Sequence, residues 1–355
     1  MTLSRPDLNG VSPAIRAYIE ELEAELARRQ KPEGSSRPIG SAEIEPTPLE
    51  PAEPPTTVNL ITVSAGGLAK RTPRHLYQRQ GRGGMGIFDL DAAAEDHPAF
   101  LNLADQSQTL VIVTSQGRAF PLPVSQLAEA PVRARGQALN QWLPLQPSER
   151  VAVIFPDQGS GYLALATVRG QVRRLRYHYF GRNLQPGTIL YDIREGGAPA
   201  AWCWTPGDAD LFIATRKGNA IRFAETQVPV RGGLGVRVDP DDAVVGLASV
   251  REESGVFLLA ADGKGTIRLM AGFSKNKEPG GGGKSAMKTD RLAAAATVNA
   301  GDDVFIISRL GKIIRFRADE TPAKEGVVQG VNCMSFRADE ATAVVTCTPS
   351  PPASS

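Results

Sequence analysis

The chain has 355 residues, 41% of them hydrophobic but only 6% aromatic, with 36 glycines and 27 prolines; this supports a sizeable core cut by many turns and excludes an architecture of long helices. The net charge of +2 is unevenly spread: residues 1–55 carry 6 Lys/Arg against 10 Asp/Glu, and the other 300 residues carry 34 against 28. A mildly basic body therefore follows an acidic start, a balance compatible with a polyanionic partner but not demanding one.

The stretch "SPAIRAYIEELEAELARRQ" (12–30) predicts a helix. Ser12 caps it, Pro13 takes its first position, and Ile15, Ile19, Leu22 and Leu26 form one narrow apolar stripe. So short a helix is marginal alone, so it is expected to dock, with a second copy as one candidate, or else to fray. Residues 31–55 follow as a proline-rich acidic linker, expected to be disordered.

From residue 56 the chain repeats itself. "NLITVSAGGLAKRT", "TLVIVTSQGRAFPL", "YLALATVRGQVRRL", "DLFIATRKGNAIRF", "VFLLAADGKGTIRL" and "VFIISRLGKIIRF" each read as strand, tight turn, strand. The turn glycines are Gly67, Gly117, Gly170, Gly218, Gly263 and Gly311, spaced 50, 53, 48, 45 and 48 residues apart. A period of ~50 residues built on strands predicts propeller-like blades of about four strands each. The expected blades are 56–105, 106–157, 158–206, 207–253, 254–301 and 302–348, with a disordered tail over 349–355.

Cys203, Cys333 and Cys347 have no CxxC spacing and an odd count, which argues against a disulfide framework and for a reducing compartment. No signal peptide opens the chain and no apolar run approaches the ~18–20 residues that span a bilayer, so a cytoplasmic protein is expected. "GGGGKS" at 280–285 fails the phosphate-loop spacing, because Glu278 stands where a glycine is needed. His75, His97 and His178 fall in different repeats without ligand spacing. No catalytic residue, metal site or cofactor is expected.

The repeated hairpins, the stretch "RGGLGVRVDPDDAVVGL" and the stretch "QRQGRGGMGIFDL" (78–90) carry a resemblance. They are similar to the C-terminal domain of the A subunit of bacterial type IIA topoisomerases, DNA gyrase and topoisomerase IV. That family's box runs Gln–basic–Arg–Gly–Gly–basic–Gly; Gln80, Arg82, Gly83, Gly84 and Gly86 match it, and Gly81 and Met85 replace the two flanking basic residues. The resemblance covers about 56–348. It implies an all-β, six-bladed β-pinwheel that binds duplex DNA non-specifically along its rim and bends it. A partner topoisomerase core and a nucleoid association are further implications. No segment resembles the region bearing the family's nucleophilic tyrosine, so a non-enzymatic protein is expected.

The residues expected to meet DNA fall in two sets. Arg71, Arg174, Arg222 and Arg315 stand four residues past the turn glycine and Arg268 five past, while repeat two has Pro121 instead. With Lys70 and Arg173 they would form an arc of charge around the disc; alternatively, they only keep a β-surface soluble. The second set lies in loops: Arg79, Arg82, Arg133, Arg135, Arg231, Lys275, Lys277 and Lys284. A second reading is a propeller-type protein-interaction module that has lost most DNA binding, motivated by the depleted box.

Overall fold

The structure, a computed structural model, describes residues 53–93 and 95–348. The helix expected over 12–30, the tail over 349–355 and all but the last three residues of the linker lie outside them. The expectation of an all-β, propeller-like body is met.

Each repeat supplies an inner hairpin, a short outer strand and a long closing strand. Repeat one has β1 (Val58–Ser64), β2 (Leu68–Pro73), β3 (Ile87–Phe88) and β4 (Pro98–Asp105). Repeat two has β5 (Thr109–Thr114), β6 (Arg118–Pro123), β7 (Gln137–Ala138) and β8 (Val151–Pro156). Repeat three has β9 (Tyr162–Thr167), β10 (Gln171–Arg176), β11 (Thr188–Ile189) and β12 (Pro199–Thr205). Repeat four has β13 (Asp210–Thr215), β14 (Asn219–Ala224), β15 (Gly233–Leu234) and β16 (Val244–Val250). Repeat five has β17 (Gly255–Ala260), β18 (Lys264–Leu269), β19 (Lys284–Ser285) and β20 (Leu292–Val298). Repeat six has β21 (Asp303–Ser308), β22 (Lys312–Arg317), β23 (Ala323–Lys324), β24 (Val331–Asn332) and β25 (Ala341–Cys347).

The short outer strand of each repeat does not join its own sheet. It pairs with the hairpin of the repeat before it: β7 with β2, β11 with β6, β15 with β10, β19 with β14, and β23 and β24 with β18. The exchange closes on itself, because β3 of repeat one pairs with β22 of repeat six. The closing strands β4, β8, β12, β16, β20 and β25 touch in that order, and β25 touches β4. One parallel bridge, Gly246 to Ala295, merges the sheets of repeats four and five.

This exchange explains the recurring glycine. Gly170 has φ of +85°, and a Cβ there would lie 2.0 Å from the Val236 carbonyl oxygen of the next repeat. The chain leaving the short strand crosses the turns at Gly117, Gly170, Gly218, Gly263 and Gly311 at comparably short range, but not that at Gly67; at Gly170 it donates Gly235 and Val236 N–H to the Gly170 carbonyl. Only glycine combines that φ with that approach.

Apolar residues on both strand faces put the core between repeats. One cluster joins Ile61 and Val63 to Leu110 and Ile112 of repeat two; another joins Leu60 and Tyr77 to Phe305 and Ile313 of repeat six. Each sheet is thus covered on both faces by its neighbours. Around the axis the closing strands line a cavity of about 870 Å³ walled by small side chains such as Ala200, Gly246, Ala294 and Ala343, with no acid, base or histidine among the lining residues. Among the described residues no helix is long and apolar enough to cross a membrane.

Candidate nucleic-acid interface

The strand arginines alternate with core residues, so they point to the opposite sheet face. In β14, Ile221 and Phe223 flank Arg222, and all three are buried. The face that carries Arg222 packs on the 3₁₀ turn of the following repeat. There Arg222 donates to the carbonyls of Met270 (2.9 Å) and Phe273 (3.2 Å) and to the Asp210 carboxylate (2.9 Å).

The same reach recurs around the ring. Arg71 donates to Leu127 O of repeat two at 2.8 Å, and Arg174 pairs with Glu225 of repeat four at 2.9 Å. Arg268 donates to Gly272 O at 3.0 Å and to Glu325 O of repeat six. Arg315 donates to Tyr77 O of repeat one at 2.9 Å and to Asp303 at 2.9 Å. The expected arc of DNA-facing charge is therefore corrected. Arg71, Arg222, Arg268 and Arg315 are buried and Arg174 is mostly so; apart from the buried Nε of Arg174 and of Arg268, which have no partner among the described residues, their donors meet carbonyls and carboxylates that tie one repeat to the next. A buried guanidinium with these partners satisfies groups that would otherwise be costly to bury.

Repeat two, which has Pro121 at this position, is tied to repeat three by aromatic rings instead. Phe155 lies 6.1, 5.3 and 5.9 Å from the rings of Phe180, Trp202 and Trp204, and the Trp204 indole donates to Pro156 O at 2.9 Å.

Lys70 is likewise corrected. It is buried, pairs with Asp89, and donates to the carbonyls of Pro131 (3.3 Å) and Val132. Tyr77 and Thr62 donate to the same carboxylate at 2.6 and 2.8 Å. Burial, opposed by the Asp89 charge, lowers the Lys70 pKa; burial first and Asp89 second raise that of Tyr77. Arg173 is half-buried and donates to Leu190 O at 3.0 Å.

The box stretch turns out to be a clasp. Gln80 N–H donates to Arg315 O, Gly83 N–H to Cys333 O, and Ser335 N–H to Gly84 O, each at 2.9 Å. Arg82 donates its backbone N–H to Glu320 (2.6 Å) and its side chain to Asn332 O (2.7 Å). Arg79 pairs with buried Asp303 at 2.8 Å. A Cβ on Gly86 would lie 2.6 Å from Ile313 O, so this glycine lets β3 lie against β22. The backbone donors of Gln80, Arg82 and Gly83, which could have cradled a phosphate, are spent on repeat six.

Among the loop cations, Lys275 pairs with Asp210 at 2.6 Å, and Lys284 donates to Ser274 O at 2.6 Å beneath the Phe273 ring. Desolvation, followed by the charges of Arg268 and Arg222, lowers the pKa of Lys284. Arg133, Arg135, Arg231 and Lys277 are exposed on the outer side of the sheets and make no ion pair among the described residues. Sequence reasoning missed two exposed cations of repeat three, Arg176 at the end of β10 and Arg182 in the loop that follows. There His178 stacks on half-exposed Tyr179 at 4.0 Å. The signal was present in "RYHYFGR", where basic and aromatic residues interleave. The same region in repeat six carries Asp319, Glu320 and Glu325 against Arg317 and Lys324, all exposed.

A family model described as the DNA gyrase C-terminal domain, beta-propeller, matches residues 59–96, 209–251 and 302–320, in repeats one, four and six. The DNA gyrase A protein of Mycobacterium bovis is 28% identical over 293 residues, covering 78% of this chain and 35% of that protein. The DNA gyrase A protein of Pseudomonas aeruginosa is 27% identical over 338 residues, covering 79% and 36%. The chain thus spans about a third of the length of the curated relatives it matches. Among solved structures, a DNA gyrase A C-terminal domain superposes with a TM-score of 0.72 at 19% identity, over 81% of this chain and 99% of that one. The C-terminal domain of a DNA topoisomerase IV gives 0.59 at 16% identity, over 82% and 94%. At these identities the two structures speak to fold alone. In the sequence of repeats one, four and six, and in the fold of its body, this chain is similar to the gyrase A C-terminal β-propeller.

Proposed function

We propose that this chain binds duplex DNA non-specifically along the outer side of a six-bladed pinwheel, one blade per repeat, and bends it without catalysing a reaction. The carrying observation is a set of exposed cations in or beside the outer loops of repeats two to five that make no ion pair among the described residues: Arg133, Arg135, Arg176, Arg182, Arg231 and Lys277. These loops flank the short strands, at the sheet edges opposite the closing strands that line the central cavity. The acid-rich loop of repeat six interrupts the arc, so the bound path is an arc and not a full turn. Curated relatives that are DNA gyrase A proteins support a type II topoisomerase core as the partner and a place in the cytoplasm on the nucleoid. Neutralising six phosphates gives a log–log salt slope of about −5. Fluorescence anisotropy on a random-sequence duplex tests this: micromolar or tighter binding at ~50 mM salt that collapses by ~200 mM supports it. Undetectable or salt-insensitive binding refutes it.

One observation favours the second reading, a protein-interaction module: the box, the family's signature, is consumed by ring closure here. Recovery of a protein partner in a nuclease-resistant complex, with no DNA retention by the purified chain, would establish that reading instead.

A further inference from the structure

The exchanged strands share one register position that holds an exposed large apolar residue in three repeats. Each places a residue opposite the first residue of the neighbouring long strand. Phe88 lies opposite Lys312, Ile189 opposite Arg118, and Leu234 opposite Gln171. The other three strands place Ala138, Ser285 and Asn332 there. The three large apolar residues are exposed, by 50%, 69% and 38%.

Phe88 and Leu234 are bordered by positive charge, and Ile189 by an arginine held in an ion pair. The Phe88 ring has the Arg133 guanidinium 5.5 Å from its centroid and the Lys312 ammonium at 5.2 Å. Ile189 stands across from Arg118, whose guanidinium is paired with the buried Glu149 carboxylate at 2.7 Å. Leu234 lies between exposed Arg231 and Arg237, three residues to either side. A protein interface gathers its apolar residues into one dry patch rimmed by charge. Here they lie on three separate sheets: Phe88 has exposed Met85 and Ile87 beside it in sequence, Leu234 has exposed Val230 four residues away, and Ile189 stands alone. That is the pattern of side chains that enter the minor groove, part base steps and leave the flanking cations on phosphates.

We propose that Phe88, Ile189 and Leu234 are apolar wedges for duplex DNA, so that the duplex is kinked at these points as well as curved by charge. This rests on the DNA-binding reading above. It adds a contribution that salt does not screen. The two kinds of contact separate on a salt titration: losing a phosphate contact flattens the slope, whereas losing an apolar contact weakens binding equally at every salt.

The experiment uses the full chain and an end-labelled duplex shorter than the DNA persistence length (~150 base pairs), with affinity and end-to-end energy transfer both read across a salt series. The triple variant Phe88→Ser, Ile189→Ser, Leu234→Ser is expected to bind roughly tenfold more weakly at every salt, with an unchanged slope and reduced bending. The variant Phe88→Leu, Ile189→Leu, Leu234→Met keeps the bend. Ile189→Ser alone, at the most exposed of the three sites, gives the same direction with folding undisturbed. Wild-type bending by the serine variants, or a weakened affinity with a flattened slope, overturns the wedge while leaving DNA binding standing. Failure of the unaltered chain to bind DNA overturns both.

Discussion

Replacing Arg222 with Met removes the guanidinium while keeping most of the stem. The structure predicts a loss of stability and no loss of DNA contact. Three partners are affected. The Met270 and Phe273 carbonyls, accepting at 2.9 and 3.2 Å, lose a buried donor. The Asp210 carboxylate loses its 2.9 Å bond but keeps Lys275 at 2.6 Å, so it is not left as an isolated charge. Glu252 is mostly solvated and contributes little. An unsatisfied buried polar group costs about 1–3 kcal/mol, and breaking a buried pair outright about 3–5. With Lys275 compensating, about 3 kcal/mol is expected. Urea denaturation followed by tryptophan fluorescence should show the midpoint falling with an unchanged m-value. The folded variant should keep the wild-type salt slope for DNA. A variant as stable as wild type, or a folded one whose slope flattens by about one contact (~0.9), would refute the assignment of this arginine as a tie between repeats.

Gly86→Ala places a Cβ 2.6 Å from Ile313 O at a φ of +70°, so it should destabilise the clasp by about 2 kcal/mol or more. Faster hydrogen exchange confined to residues 80–90 and 311–335 would mark the opened seam, and unchanged protection there would contradict the clasp. Burial pushes the Cys333 thiol up to about 11 from an ordinary 9.0. Its contribution is complete below pH 9 and is lost as pH rises to about 11, because only the unfolded chain sheds the proton in that window, a change of about 2–3 kcal/mol. Cys333→Ala should accordingly show a shallower loss of stability across that window, and an identical pH profile would count against the buried thiol. Phe155→Ala at the junction of repeats two and three should cost about 3–5 kcal/mol, since no arginine crosses there to share the load; a calorimetric loss under about 1 kcal/mol would contradict it.

The fold was largely legible because its determinants are local. The turn glycines, the alternating strands and the ~50-residue period each follow from residues close together in sequence. The role of the arginines was not legible, for a physical reason. In "NAIRFA" the alternation assigns Ile221 and Phe223 to the core and Arg222 to solvent, which is right for a sheet with one covered face. In this ring both faces are covered, and the carbonyls that Arg222 bonds lie 48 and 51 residues away. The box was recognisable as a motif, yet the residues that occupy its donors, Cys333 and Arg315, sit in the last repeat. Loop cations were easier to place, because loops run over the surface whatever the sheets do. Even so, Lys275 and Lys284, though exposed, are engaged by Asp210 and Ser274.

The central claim is a division of labour, with strand arginines holding the ring and loop cations holding DNA. It is tested most directly by the salt slope of a variant in which Arg133, Arg135, Arg176, Arg182 and Arg231 are all changed to Gln. The account predicts that this protein melts like wild type while its slope flattens from about −5 to about −1. A slope unchanged from wild type in the folded variant would contradict it.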